Sequence, residues 1–207
     1  MDNNIQNLTS ILPEIKTLID RKNSLKKESN YITRRLKTLT KKYEFLNQIV
    51  GKNIKDNVLE RALTDFFRQI GYTNVKKVGI NGKEDIQIII EESETLILVE
   101  VTGTKKKTTN DDKTRQVTKH FADNRNKHKK VRGLFIVNHD FEKIYSERII
   151  HPFSEDQIKY AKDGDYSLVT TFQLLVGFII LKTKQLSLTD FTEKITKNGE
   201  IIFYKND

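Results

Sequence analysis

Three acids sit in contexts where a purely structural role is hard to assign. Asp85 opens the apolar run Asp85–Ile90, and Glu100 follows four apolar residues, Leu96 to Val99. Glu60 belongs to the helical pattern that precedes them. A carboxylate embedded in so apolar a strand needs a compensating partner. Either a divalent cation or one of the many lysines fills that need. Side chains alternate along a strand, so Glu100 shares a face with Leu98 and Thr102, while Val99 and Val101 face the other way. If the two runs pair as a hairpin, Asp85 and Glu100 lie side by side near one end of a sheet. Their carboxylates and the Val101 carbonyl form an oxygen set suited to Mg²⁺ or Mn²⁺. Such a cation could activate water for attack on a phosphodiester.

Other chemistries lack their residues. The chain has no cysteine, which excludes disulfides, cysteine-ligated zinc, iron–sulfur clusters and thiol catalysis. His120, His128, His139 and His151 show neither HxxxH nor HExxH spacing; of these, His139 follows an expected strand near the acids. No GxSxG, GxxxxGK[ST] or GxGxxG occurs, so neither a serine triad nor a nucleotide site is expected.

The elements that must position the acids follow from apolar periodicity. Asp56–Tyr72 places Val58, Leu59, Ala62, Leu63, Phe66, Phe67 and Ile70 on one helical face, closed by Gly71. Val75–Ile80 and Asp85–Ile90 flank Asn81-Gly82, a hairpin signal. Thr95–Thr102 is apolar on both faces in its first half and so is expected to be central. A Lys-rich loop, Thr104–Asn110, leads to a polar helix over Asp111–Lys127 and a fourth strand, Val131–Asn138. Beyond Pro152 come a helix (Glu155–Ala161), a strand (Tyr166–Val169), an apolar helix (Thr171–Lys182) and short terminal elements including the strand-like Ile201–Tyr204. This order predicts an α/β fold with a mixed sheet flanked by helices.

Composition shifts near Gly51, dividing the 207 residues into segments 1–50 and 51–207. The first segment has no glycine. Ile15, Ile19, Ile32, Leu36, Leu39, Tyr43, Leu46 and Val50 form a stripe at steps of three and four, and the seam weakens from Lys22 to Ser29, where only Leu25 is apolar. A long N-terminal helix from Pro13 to Val50 is expected, and a stripe of that length requires a partner helix, most simply a second copy. This segment carries ten Lys and Arg against five acids, more than half of the chain's net charge of +9. The basic face is either a solvated coiled-coil surface or an arm that grips nucleic acid. The first residues lack the pattern of a signal peptide, and the longest apolar stretch, Leu174–Leu181, is too short to span a membrane. The expectation is a cytoplasmic protein with no membrane contact.

From Ile54 to Leu175 the sequence resembles the PD-(D/E)XK nuclease superfamily, the restriction-endonuclease-like fold. Glu60 lies in a helix ending in IGY, GKEDIQI puts Asp85 at a strand start, and LILVEVTGT puts Glu100 where the family's (D/E)-X-K begins. TRQVTKHF places Gln116 on the following helix, and GLFIVNHD, SERI and YSLVTTFQLL resemble later elements of bacterial members. The resemblance implies catalytic roles for Asp85, Glu100, Gln116 and Glu60. It also implies Mg²⁺ or Mn²⁺ on Asp85, Glu100, Val101 and Glu60.

One departure stands out. The family's lysine, which positions water or neutralises charge in the transition state, is replaced by Thr102. Lys105 or a neighbour, Lys106 or Lys107, could reach back; Lys119 could enter from the helix; or the site works with Gln116 and no lysine. The same lysines suit contact with a phosphate backbone. A DNA nuclease that serves in defence against foreign DNA, alone or with a partner protein, is the leading expectation. A non-catalytic nucleic-acid-binding or assembly module on a degenerate nuclease fold, and an RNA nuclease, are the alternatives.

Overall fold

The computed structural model describes residues 13–54, 56–79, 84–108, 124 and 128–203. The chain forms two compact units, Met1–Glu44 and Phe45–Asp207.

In the first unit, helix α1 spans Pro13–Lys42. Proline fits its first turn because the missing N–H would have no intrahelical partner there. The hydroxyls of Thr17, Thr33 and Thr38 each donate to the carbonyl four residues back. The helix was expected to run to Val50, but it stops at a turn on Tyr43, and a separate helix α2 covers Glu44–Val50. No glycine or proline breaks it. Burial explains the break, because Phe45 and Ile49 are core residues of the second unit, with the Phe45 ring 6.4 Å from Phe66 and 6.0 Å from Phe178. The second unit thus begins six residues before Gly51.

The second unit is built on a six-stranded mixed sheet. Helix α3 (Asp56–Ile70) precedes β1 (Asn74–Lys77), β2 (Ile86–Ile90), β3 (Thr95–Gly103) and β4 (Lys130–Asn138). Helix α4 (Glu155–Asp163), β5 (Tyr166–Thr170), α5 (Thr171–Lys182), α6 (Leu188–Ile195) and β6 (Gly199–Glu200) follow. Spatial order equals chain order. β1–β2 and β2–β3 pair antiparallel, whereas β3–β4, β4–β5 and β5–β6 pair parallel. Eight of the nine residues of β3 are buried, as its apolar run requires for the strand at the antiparallel-to-parallel junction. The last strand falls two residues before the expected Ile201 start. The Asn81-Gly82 turn lies outside the described residues, as does the expected helix over 111–127 apart from Asn124.

Helix α3 forms because its apolar residues recur every three or four positions. Leu59, Ala62, Leu63, Phe66 and Phe67 are fully buried. It ends at Gly71, whose φ of 128° suits only glycine, with Tyr72 N–H donating back to Phe67. Helices α4 and α6 start with capping boxes, Ser154 with Gln157 and Ser187 with Asp190. On one face of the sheet Phe135, Val137 and Leu168 cluster with Ala161 of α4 and Phe153. The other face, lined by Ile86, Ile88, Ile97 and Val99, receives α3 (all four fully buried). No helix among the described residues is long and apolar enough to cross a membrane.

Candidate functional site

The β2–β3 ladder runs in register from Ile86↔Val99 to Ile90↔Thr95. One step further along that register sets Asp85 opposite Glu100. There the regular pairing changes. The Asp85 N–H donates to the Val99 carbonyl at 3.0 Å, and Asp85 Oδ2 accepts the Val101 N–H at 2.7 Å. The Asp85 carboxylate therefore replaces a main-chain acceptor at the point where β2 begins, and is held against the residue next to Glu100. Glu100 itself is 7% exposed and pairs in register with Phe135 on β4.

Backbone alternation extends this edge. The N–H and C=O of one strand residue point to the same side, so the Val101 carbonyl is directed toward the β2 side with its N–H. Two residues on, the Gly103 N–H is accepted by Asp56 Oδ1 at 2.9 Å. Asp56 opens α3, and an added Cβ at Gly103 would stand 3.1 Å from that oxygen and 3.3 Å from the Phe141 ring. The edge of β3 beyond β2 is thus lined by Asp85, the Val101 carbonyl and Asp56. Asp56 did not emerge from the sequence, where it reads only as an acid in the first turn of a helix. Nothing local distinguishes it, because its partner lies 47 residues away.

Glu60 is placed differently. Its Oε2 lies 2.8 Å from Lys77 Nζ, and Lys77 pairs in register with Ile86, on the face that α3 covers. Glu100 belongs to the other face, with Leu98 and Leu96. Among the described residues no group of three or more acids or histidines is arranged to hold a metal ion. The structure fixes the Asp85 carboxylate to the backbone one residue from Glu100 and pairs Glu60 with Lys77.

Thr102 is buried on the Glu100 face and paired with Val137, a position with no charge to offer. Lys105 is bonded to Glu142 at 2.7 Å on the exposed surface. Its loop continues the β3–β4 contact, with Thr104 N–H donating to Asn138, Asp140 N–H to the Lys106 carbonyl, and Phe141 N–H to Thr104. Lys106 and Lys107 are exposed. An open cleft of about 430 Å³ lies beside this loop, lined by Asn53, Ile54, Asp56, Gly103, Lys105 and Phe141. Gln116 and Lys119 lie outside the described residues.

Behind the cleft a buried polar network fixes the end of β4. The Arg148 guanidinium donates to the Asn138 side chain, to the carbonyls of Val50 and Gly51 at 3.1 and 3.3 Å, and to Lys143 at 2.9 Å. Thr171 Oγ1 donates to the same Asn138 oxygen at 3.3 Å. One cation thereby joins the entry of the second unit, the last residue of β4 and the loop after it. His139 Nε2 bonds the Ile149 carbonyl at 2.8 Å, so that nitrogen carries the proton. Burial lowers the His139 pKa below its ordinary value, Arg148 and Lys143 add to that effect, and the Ile149 bond and Asp140 oppose it. His139 is accordingly neutral near pH 7 and anchors the loop at Ile149.

Residues 52–145 match the family model described as restriction endonuclease, Mrr_cat. This span contains Glu60, Asp85, Glu100 and the lysine loop. Among solved structures, the restriction endonuclease FokI superposes with a TM-score of 0.56 at 18% identity, over 76% of this chain and 30% of that one. FokI bound to DNA gives 0.56 at 17%, over 78% and 30%. The small subunit of the heterodimeric restriction endonuclease R.BspD6I gives 0.51 at 17%, over 74% and 85%. This chain therefore spans under a third of the FokI chain. No curated protein matches it. The restriction-endonuclease-like fold and the expected family resemblance both stand on these findings.

Proposed function

We propose that the protein is a Mg²⁺- or Mn²⁺-dependent endonuclease that hydrolyses phosphodiester bonds in DNA. The observation that carries this reading is the β2–β3 edge, where the Asp85 carboxylate is clamped to the Val101 N–H at 2.7 Å, one residue from the buried Glu100. The donor set fits a hard divalent cation: two carboxylates and a strand carbonyl, all oxygen, presented where one strand has begun and the other continues. Asp85, Glu100 and Val101 would hold it, and it supplies the Lewis acidity for attack on phosphorus. The chain's own groups do the rest. Asp85 is oriented by its backbone bond, and β3, buried along its length, keeps Glu100 in place. Lys105, Lys106 and Lys107 meet the phosphate backbone at the cleft.

Charge neutralisation, the task of the lysine that Thr102 replaces, falls to Lys119 or to Lys105 once released from Glu142, and Gln116 orients the attacking water. Glu60 acts at most through an intervening water, since Lys77 already compensates it. One site cuts one strand, so a homodimer through α1 would deliver the double-strand break. The net charge of +9 favours a polyanion, and the likeness to restriction enzymes favours a cytoplasmic effector of defence against foreign DNA, with or without a partner protein. FokI has been solved bound to DNA, and R.BspD6I is a heterodimeric enzyme.

The second reading is a nucleic-acid-binding platform without catalysis, favoured by Thr102 in the lysine position. Plasmid DNA incubated with Mg²⁺ or Mn²⁺, beside an EDTA control and Glu100→Gln, separates the two. Metal-dependent cleavage that disappears in the variant is the expected result. Retarded but intact plasmid in every lane would establish the binding module instead.

A further inference from the structure

Helix α1 carries an apolar seam that is exposed among the described residues. Leu18, Leu25, Ile32 and Leu39 recur every seven residues and are 36–70% exposed. With these at heptad position d, position a holds Ile15, Lys22, Ser29 and Leu36 in the sequence, the last 59% exposed. The helix has 30 residues, a rod of about 45 Å at ~1.5 Å per residue. A seam of constant seven-residue period over four turns of the repeat is the pattern of a left-handed coiled coil.

The flanking charges determine which way a second copy fits. Position g reads Glu14, Arg21, Glu28, Arg35, and position e reads Ile19, Lys26, Thr33, Thr40. In a parallel pair each g residue faces the e residue of the next heptad. Arg21 would then meet Lys26 of the second copy, and Lys22 would meet Lys22 inside the seam. Both contacts repel, and no g–e pair attracts. In an antiparallel pair the same heptad position lines each flank, so g faces g. One register places Arg21 against Glu28 of the second copy and Glu14 against Arg35, and by symmetry each pair occurs twice. All four contacts attract. The same register lays Lys22 against Leu25 of the second copy, where its methylene stem covers the leucine and its ammonium reaches solvent.

We infer that α1 pairs antiparallel with α1 of a second copy, in the register that sets Arg21 against Glu28. This inference rests on the self-pairing proposed above and is independent of the nuclease reading. The polar interval Lys22–Ser29, which weakens a parallel seam, becomes the centre of the antiparallel one, where it selects orientation in the way a polar core residue does in coiled coils.

The test is sedimentation equilibrium of the full chain, which reads association and not cleavage. Arg21→Glu and Glu28→Arg each turn two attractive contacts into repulsive ones and weaken the dimer by roughly tenfold, while the double variant returns to the wild-type dissociation constant. A parallel dimer predicts the opposite for Arg21→Glu, because the new acid would attract Lys26; tighter association in that variant overturns the orientation. The chain has no cysteine, which permits a second measurement. Arg21→Cys mixed with Glu28→Cys forms a disulfide-linked dimer under mild oxidation, and neither variant alone does so. Cross-linking within Arg21→Cys alone overturns the register. A wild-type chain that sediments as a monomer at 100 µM overturns the pairing altogether.

Discussion

Asp85 has two separable tasks, and two substitutions divide them. Its Oδ2 accepts the Val101 N–H at 2.7 Å, closing the first irregular step of the β2–β3 ladder. In the proposed function its charge also helps to hold a cation. Asp85→Asn keeps an oxygen that can accept the N–H but removes the charge. Asp85→Ala removes both and leaves the Val101 donor without that partner. A hydrogen bond to a charged group contributes about 1.5–3 kcal/mol and a neutral one about half of that. The Asn variant should therefore lose about 1 kcal/mol and the Ala variant about 2–3 kcal/mol. For a domain of this size each kcal/mol moves Tm by about 2–4 °C. The expected drops, measured by thermal melting in EDTA, are about 3 °C for Asn and roughly 5–10 °C for Ala. Cleavage should be lost in both. Equal melting temperatures for the two variants would show that the carboxylate does not anchor the strand edge, and Mg²⁺-dependent cleavage by Asp85→Asn would remove Asp85 from the metal site.

Thr102→Lys restores the charge that the family motif carries, on the same face as Glu100. Its cleavage rate on plasmid should equal or exceed that of the wild type, and a fall at unchanged Tm would mean that another lysine already occupies the site. Arg148→Ala strips one cation from the Asn138 side chain and from the Val50, Gly51 and Lys143 carbonyls. Urea denaturation should register a loss of about 2–3 kcal/mol, from buried acceptors left without their charged donor, and a loss under about 1 kcal/mol would show that these acceptors find other donors. His139 has a folded pKa below its unfolded value of 6.5. Below that value the unfolded chain binds the proton more readily, so the His139 contribution is intact above about pH 6.5 and is lost as the pH falls. The urea midpoint should drop more between pH 7 and pH 5 in the wild type than in His139→Gln, and parallel curves for the two would refute the assignment.

The α/β class, the buried β3 strand and the face occupied by Glu100 were all legible in the sequence. They depend on local periodicity, which alternation and helical repeat impose residue by residue. The antiparallel pairing of β2 with β3 was also within reach, because a hairpin with a short connection leaves few registers that bury both apolar faces. The heptad seam of α1 is likewise a property of spacing alone.

Tertiary structure decided what no spacing contains. The break at Tyr43 arises because Phe45 and Ile49 gain more from the core of the second unit than from continuing α1. Glu60 carries the same charge as Asp85 and occupies a family motif position, yet Lys77 on β1 claims its carboxylate, a pairing set by how α3 lies across the sheet. Asp56 holds Gly103 across 47 residues, and Arg148 joins Val50 to Asn138 across still more of the chain. Local pattern records which faces are apolar. Side-chain to backbone bonds at strand ends depend on where distant segments come to rest, and only packing settles that.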